Sequence, residues 1–336
     1  MKEIFEGKTI LITGGTGFLG RNLIRRILEY NPQSIRVFSR DEVKHYRLAE
    51  MFKKDTRLRS LIGDVRDYSR IKRATEGVDV VIHAAALKRI DILEYNVEES
   101  IKTNIIGSLN LVNACLQNNV SKVIMVSTDK ACLPVNTYGA CKFVSERIFV
   151  ESNYSKGKSD TVFCCVRYGN VMESTGSVIP FFLEKIRRNE PIPITDEEMT
   201  RFIITQDEAV DLIFTAIKYG KGGEVFVPDL PSFKITMLAE ALTDIENKKV
   251  PNRIIGIRPG EKIHELMINE AESHRSYKFE NNTYVITSQI QKYKADSQPD
   301  YLDEQKKVNF KELSSADRLC DKESLKKILK DNSLLM

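Results

Sequence analysis

A chain of 336 residues exceeds the usual single-domain size and allows one large core or two intimate ones. Hydrophobic content of 42%, charged content of 29% and a net charge of +4 describe an ordinary globule without a nucleic-acid or membrane-surface footprint. No apolar run approaches the roughly 20 residues of a membrane span, residues 1–7 are too mixed in charge for a signal peptide, and neither the six cysteines nor His45, His83, His264 and His274 have metal-ligand spacing. The expectation is a cytoplasmic protein with reduced thiols, no metal, no nucleic-acid partner and no membrane insertion.

Residues 8–13 read as a buried strand. Gly14, Thr16, Gly17, Phe18, Leu19 and Gly20 follow, then an apolar helical pattern to residue 28. Glycines three apart between strand and helix suit a pyrophosphate cradle. They permit a tight turn, close approach of backbone amides, and helix packed on strand. A glycine-rich turn without a ligand is the alternative. The second strand, 34–38, ends in Ser39 and Arg40, with Asp41 and Lys44 beyond. A hydroxyl and a guanidinium fit a 2′-phosphate better than a 2′-hydroxyl, so NADP is expected over NAD, with Asp41 keeping NAD open. The third strand, 57–63, ends at Asp64 and Val65. Asp64 is either an acceptor for an adenine amino group or a cap for the turn at Asp67. The fourth, 78–83, opens into Ala84, Ala85 and Ala86, small enough to pass beside a nicotinamide ribose. Lys88 and Arg89 add positive charge at the site mouth.

A long helix is expected over 98–118 and a fifth strand over 122–127, leading to Thr128, Asp129 and Lys130. Strand–helix alternation to this point implies an α/β fold, a Rossmann doubly wound parallel sheet with ligands beyond the carboxyl ends of its strands. Tyr138 and Lys142 follow a proline-containing turn and, four apart, share one helix face. An ammonium lowers a phenol's pKa, so Tyr138 is suited to take a hydroxyl proton while a nicotinamide takes the hydride. For this pair alone, a solvated helix face is the alternative. A sixth strand, 161–168, leads to Asn170. Beyond it the pattern turns short and loop-rich around Val178, Pro191, Arg201 and Arg258. The two arginines offer forks for a diphosphate, although single arginines are commonly surface charges. Residues 206–219 and 236–245 read as helices, and a final amphipathic helix near 321–330 ends a polar tail without evident chemistry. The expected division is 1–170 for cofactor and catalysis, a smaller discontinuous α/β substrate domain mainly in 171–290 with some segments returning, and a tail over 291–336.

Taken together, the glycines of 14–20, Thr128, Tyr138 and Lys142 resemble the extended short-chain dehydrogenase/reductases, which act on nucleotide sugars. More closely, the chain resembles the inverting UDP-N-acetylglucosamine 4,6-dehydratases of flagellar pseudaminic acid and capsule biosynthesis. The matching stretches are Phe-Ser-Arg-Asp-Glu at 38–42, Ala-Ala-Ala-Leu-Lys at 84–88, Glu-Tyr-Asn at 94–96, Ile-Lys-Thr-Asn-Ile at 101–105 and Ser-Thr-Asp-Lys-Ala at 127–131. Arg-Tyr-Gly-Asn-Val at 167–171, Met-Thr-Arg-Phe at 199–202 and Ile-Arg-Pro-Gly-Glu-Lys at 257–262 complete the set.

The resemblance implies oxidation of C4 of the sugar, loss of water across C5 and C6, and return of the hydride to C6, so that tightly bound NADP is regenerated. It implies that Tyr138, assisted by Lys142, takes the C4 hydroxyl proton and that Thr128 bonds the C4 oxygen. Lys130 is the expected C5 base if burial lowers its pKa, and Asp129 the acid for the C6 hydroxyl if burial keeps it protonated. Lys88, Asn170, Val178, Arg201, Arg258 and Glu261 are the residues implied for the UDP-sugar. Two stretches depart from the family pattern: Lys-Arg-Ile-Asp at 88–91, where Lys-His-Val-Pro is common, and Ser-Thr-Gly-Ser-Val at 174–178, where an arginine is common. Relatives associate through the two long helices, near 98–118 and 137–153, so a homo-oligomer, dimer or hexamer, is expected. A sugar 4- or 5-epimerase on the same scaffold and a non-catalytic NADP-binding regulator are the other readings.

Overall fold

Continuous runs of Val, Ile and Leu suit a parallel sheet covered on both faces, and the central strands are built from them. A computed structural model describes residues 1–172, 178–290, 299, 301, 302 and 306–331. Strands β1 (Thr9–Thr13), β2 (Ser34–Ser39), β3 (Leu58–Ile62), β4 (Val80–His83), β5 (Lys122–Val126) and β6 (Val162–Val166) alternate with helices. β1 and β4 are buried along their whole length, whereas β3 alternates with exposed positions, as the edge of a sheet does.

β7 (Asn170–Val171), β8 (Ile192–Ile194) and β9 (Thr200–Ile204) leave this sheet, and β10 (Val225–Pro228) returns to it beside β6. β11 (Ser232–Lys234) pairs with β9 and β12 (Asn252–Ile254) with β8. β13 (Leu266–Ile268) precedes a hairpin of β14 (Ser276–Phe279) and β15 (Thr283–Ile286), and β16 (Leu313–Ser314) lies antiparallel to β13. The nine-stranded sheet therefore runs β14-β15-β10-β6-β5-β4-β1-β2-β3. Strands β10 to β3 in that order are parallel, and the hairpin closes the other edge. Strand order reverses between β1 and β4, which opens a crevice at their carboxyl ends.

The six strands expected from sequence are all present, but β10 and the hairpin are additional. Four-residue runs, one ending in a proline, are too short to show a period. The expected loop around Val178 is instead helix Val178–Arg187. Pro180 sits in its first turn, where a missing N–H costs nothing because those donors have no partner within the helix. The long helix is continuous from 97 to 117 but carries a π-helical segment, Ile101–Ile106. Asn104 lies in that segment, and its amide holds both the N–H and the carbonyl of Leu87 at 2.9 Å.

A second apolar core lies apart from the large one. Ile186, Leu242, Leu325 and Leu329, from helices Val178–Arg187, Ile235–Ile245 and Lys322–Asp331, are fully buried in it. The final helix is thus an element of this smaller core. Its Lys322 and Lys326 reach Asp244 at 2.9 and 2.7 Å, but such exposed pairs add little beside the buried leucines. Among the described residues no helix is long and apolar enough to cross a membrane.

Candidate active site

Gly14 turns the chain out of β1 with φ of 69°, a conformation that L-residues rarely adopt. A Cβ there would lie 2.8 Å from the Ala85 nitrogen and 2.9 Å from the Ala84 carbonyl oxygen, so only glycine lets these loops meet. Helix Phe18–Leu28 then starts at Gly17 with no side-chain cap, leaving its first N–H groups for an anion. Gly20 lets this helix sit on Gly15, where a Cβ would be 2.3 Å from the carbonyl oxygen. Ala84 and Ala85 are fixed by N–H bonds to the Thr13 carbonyl (3.1 Å) and hydroxyl (3.3 Å). The Thr13 hydroxyl also meets His83 Nδ1 at 2.7 Å, and burial lowers the imidazole's pKa to about 3.

At the end of β2, Ser39 Oγ bonds Thr16 Oγ1 at 2.9 Å and His45 Nε2 at 3.0 Å, which ties this strand to the cradle. Arg40 is exposed beside it. Asp41 is turned into helix Glu42–Met51, where it accepts the Lys44 N–H at 3.0 Å and pairs with Lys44 Nζ at 3.3 Å. Asp64 is engaged too. It accepts Arg66 Nε and Nη2 at 2.9 and 2.7 Å and lies 3.7 Å from Arg40, while Asp67 caps the next helix. The hydrogen-bonding capacity expected for an adenine is thus already shared with two guanidinium groups. Val65, next to it, is buried, and Lys88 is exposed, close enough to Lys130 for the two charges to interact.

Beyond β5 the chain enters a single turn, Asp129–Ala131, capped by Thr128. The Thr128 hydroxyl donates to Asp129 Oδ1 at 2.8 Å, and Lys130 Nζ donates to the same oxygen at 3.0 Å and to Asn170 Oδ1 at 3.4 Å. Glu265 Oε1 lies 3.4 Å from Nζ on the other side. Asp129 and Glu265 are 1% and 2% exposed, and Asp129 Oδ2 and Glu265 Oε2 have no hydrogen-bond partner among the described residues. Two buried, unpartnered carboxylate oxygens in one crevice mark a place where something binds or reacts.

Asn136 caps helix Thr137–Ser155 through the Gly139 N–H at 2.7 Å. A Cβ on Gly139 would be 2.2 Å from the Lys130 carbonyl oxygen, so the helix rests directly on the Asp129–Ala131 turn. Tyr138 is thereby placed against Thr128, with which its hydroxyl is hydrogen-bonded, and Lys142 is buried one turn further on.

The charge states differ from those the sequence suggests. Burial raises the Tyr138 phenol to about 12, outweighing the nearby Lys130 ammonium. Burial instead lowers Lys142 to about 8, so the lysine of this pair is the group moved toward neutral pH. For Lys130, burial pulls the pKa down, but the carboxylates of Asp129 and Glu265 outweigh it and hold the ammonium above the usual lysine range. The expected lowering fails because sequence indicates burial but not how many carboxylates share it.

The other candidate residues are distributed unevenly. Arg201, on β9, is turned inward: Nη1 donates to the carbonyls of Thr200 (2.7 Å) and Ile263 (3.1 Å), and Nε lies 3.9 Å from Glu265. Arg258 is exposed at the start of a tight turn closed by the Glu261 N–H on its carbonyl at 3.1 Å. Pro259 and Gly260 (φ 81°) fill the middle positions as a type II turn requires. The Gly260 carbonyl accepts Asn136 Nδ2 at 2.7 Å, which fastens this turn to the helix carrying Tyr138. Glu261 Oε2 is buried without a hydrogen-bond partner among the described residues. Val178 opens helix Val178–Arg187 against the second core, and residues 173–177, which hold most of one departure from the family pattern, lie outside the described residues.

Sequence reading missed Glu265 and an ion cluster behind the site. Arg167, fully buried, forks onto Glu146 (3.1 and 2.7 Å) and Glu272 (2.8 and 2.8 Å), and also donates to the Met267 carbonyl. Glu265 follows Glu261 by four in a loop, where that spacing carries no information about side-chain direction.

Residues 10–287 match the family described as polysaccharide biosynthesis protein. A UDP-N-acetylglucosamine 4,6-dehydratase (inverting) of Campylobacter jejuni is 47% identical over 289 residues, covering 85% of each chain. A UDP-glucose 4-epimerase of Rickettsia massiliae is 41% identical over 273 residues, 80% of each. Among solved structures, Pen from Bacillus thuringiensis matches with a TM-score of 0.91 at 36% identity, over 98% of this chain and 99% of that one. On sequence along most of its length and on fold, the chain belongs to the polysaccharide biosynthesis protein family, with the extended short-chain dehydrogenase/reductase architecture.

Proposed function

We propose that the protein is an NADP-dependent UDP-N-acetylglucosamine 4,6-dehydratase that inverts C5. The observation that carries this reading is the buried couple of Asp129 and Lys130, 3.0 Å apart, beside Thr128 and Tyr138. Oxidising a carbinol needs one proton acceptor. Eliminating water from the resulting ketone needs in addition a base at C5 and an acid at C6. A 4-epimerase, as the Rickettsia relative is named, has no task for that second pair.

A nicotinamide dinucleotide held with its pyrophosphate on residues 14–20 would supply the hydride acceptor for C4 and the donor for C6. The open glycine cradle, the uncapped helix start and the small residues Ala84, Ala85 and Ala86 fit such a dinucleotide. Tyr138, with Lys142 one helical turn on, takes the C4 hydroxyl proton in its tyrosinate form, a minor species for a phenol at about 12, and Thr128 holds the C4 oxygen. The resting couple is carboxylate and ammonium, and the reacting couple is carboxylic acid and amine. The two differ only by one proton moved across the 3.0 Å contact, so a resting ammonium does not disqualify Lys130 as the base. Lys130 then takes the C5 proton, the C5–H electrons form the C5–C6 double bond, and the C6–O bond breaks. Asp129 protonates the departing hydroxyl to water.

On this reading residues 1–170 carry the cofactor and the reacting groups, and 171–290 mainly the nucleotide sugar. Lys88, Asn170, Val178, Arg201, Arg258 and Glu261 are assigned to the UDP-sugar, with Asn170 at the reacting end beside Lys130 and Arg258 and Glu261 presented by the turn beside Asn136. The helices spanning 97–117 and 137–155 expose Val97, Ile101, Ile106, Leu109, Phe143 and Val144, an apolar surface suited to a second copy of the chain.

The preference for NADP rests on Ser39, Arg40 and Lys44, with Asp41 committed to capping its helix. Arg40→Ala is expected to weaken NADP binding by about tenfold or more, the worth of a charge-assisted hydrogen bond, while NAD binding stays the same. Calorimetric titration with both dinucleotides decides this, and equal losses for the two would remove Arg40 from the phosphate.

The reading as a whole is tested by incubating the protein and NADP with UDP-N-acetylglucosamine in deuterated water. NMR is expected to show a 4-keto sugar with an undeuterated C6 methyl group, deuterium at C5, and inverted C5. A product that keeps its C6 hydroxyl and differs only at C4 would make the protein an epimerase instead.

A further inference from the structure

We propose that Glu265 is a positioning residue for the elimination, the fixed anion that stabilises the ammonium forming on Lys130 as it takes the C5 proton. The inference rests on the dehydratase reading above. It starts from an oddity of the crevice: one lysine is flanked by two buried carboxylates, at 3.0 Å (Asp129) and 3.4 Å (Glu265), where a structural ion pair needs only one. A second buried carboxylate is costly unless its charge is used.

Arg201 balances the count of charges, but it does not account for Glu265. Its guanidinium is spent on the carbonyls of Thr200 and Ile263 and lies 3.9 Å from Glu265, farther than Lys130 does. Lys88 and Tyr138 are the other titratable groups close enough to interact with Lys130, and neither supplies a counter-charge.

The chemistry shows why one carboxylate is not enough. Asp129 must keep its proton until the C6–O bond breaks, so it is neutral while positive charge grows on Lys130 Nζ. A different anion has to be present throughout. Glu265 Oε1 faces Nζ, and Oε2 is buried without a hydrogen-bond partner among the described residues, so no other donor neutralises it. In the step itself, the C5–H bond breaks and its proton goes to Nζ. Its electron pair becomes the second C5–C6 bond, and the C6–O pair leaves on a hydroxyl that Asp129 protonates. Counted from the acid–amine couple, a preorganised charge aimed at the developing ammonium lowers that barrier without rearranging at the moment of reaction.

Glu265 is also held as such a role demands. Its N–H donates to Ser315 Oγ at 2.9 Å, the Ser315 N–H returns a bond to the Glu265 carbonyl at 2.9 Å, and Ser315 Oγ meets Thr200 Oγ1 at 2.6 Å. The strand β16 on one side and β9 on the other thus fix the backbone that aims the carboxylate. The polar tail, which showed no chemistry in the sequence, supplies half of this clamp.

The test is a single turnover of UDP-N-acetylglucosamine with excess holoenzyme, quenched with borodeuteride and read by mass spectrometry. Wild type is expected to give the 6-deoxy sugar. Glu265→Gln is expected to slow its formation by about 100-fold, while a sugar labelled at C4 and still bearing its C6 hydroxyl accumulates. Glu265→Asp, which keeps the charge, is expected to recover most of the rate, and Glu265→Gln should add little to Lys130→Ala because both act at one step. The inference is overturned if Glu265→Gln matches wild type, if it loses C4 oxidation together with elimination, or if Glu265→Asp is no faster than Glu265→Gln. A wild-type enzyme that forms no 6-deoxy sugar overturns the dehydratase reading itself, and this inference with it.

Discussion

Lys130→Ala is expected to stop water loss while leaving oxidation at C4 possible. Removing a general base typically costs about 10²–10⁴ in rate, and here the affected step is the one that needs the base. The side chain reaches Asp129, Glu265 and Asn170 but, among the described residues, no group of the glycine cradle, so dinucleotide binding should hold, while loss of the ammonium near Tyr138 should slow the first oxidation without abolishing it. Quenched-flow with borodeuteride would show a C4-labelled sugar that retains its C6 hydroxyl, and NMR would show no deuterium entering C5. The variant also leaves Asp129 and Glu265 buried, with Arg201 at 3.9 Å from Glu265 as the remaining ion-pair partner among the described residues, so a loss of stability of about 3–5 kcal/mol in urea unfolding is expected. Lys130→Arg separates the two effects. A guanidinium restores the charge but does not give up a proton, so that protein should be stable and equally unable to eliminate water. Deuterium exchange at C5 by the arginine variant at the wild-type rate would remove Lys130 from the role of base.

Arg167→Ala is expected to destabilise the protein strongly. One guanidinium satisfies Glu146 and Glu272, and all three side chains are buried. Its loss leaves two carboxylates in a low-dielectric interior and should cost about 3–5 kcal/mol. The pH dependence gives a sharper signature. Burial pushes the Glu272 carboxyl up, but Arg167 outweighs it and holds the group at about 2, below its ordinary value of 4.5. A carboxyl lowered by folding contributes stability that is complete above pH 4.5 and is lost as pH falls through about 2. By linkage this amounts to about 3 kcal/mol. In Arg167→Ala the sign reverses, because burial without the guanidinium favours the protonated acid. The variant should therefore lose less stability than wild type on acidification, measured as urea midpoints across that range. Parallel curves for the two proteins would mean that Glu272 draws its low pKa from elsewhere, with Arg275 the nearest other cation at 4.0 Å.

The part of the site legible in the sequence is the part written in short-range spacing. The glycines of 14–20, the apolar runs of β1 to β6, the triplet Thr128-Asp129-Lys130 and the four-residue step from Tyr138 to Lys142 are local patterns with one structural meaning each. Glu265 and Ser315 are 50 residues apart and meet only through β13 and β16. Arg167 meets Glu272 from 105 residues away. No periodicity announces such pairs. The charge of Lys130 is illegible for the same reason: the triplet shows one carboxylate, and the second arrives from a distant loop. Pro180 hid a helix by looking like a breaker, although in a first turn it is harmless.

The clamp on Glu265 has a consequence for biogenesis. Every residue of the dinucleotide cradle and both residues of the Tyr138–Lys142 step are translated long before Ser315 emerges. A growing chain can therefore grip its redox partner early, yet the carboxylate beside Lys130 is not held in place until Ser315 has joined it. A chain cut short before Ser315 should yield a protein that still captures the dinucleotide but turns sugar over far more slowly.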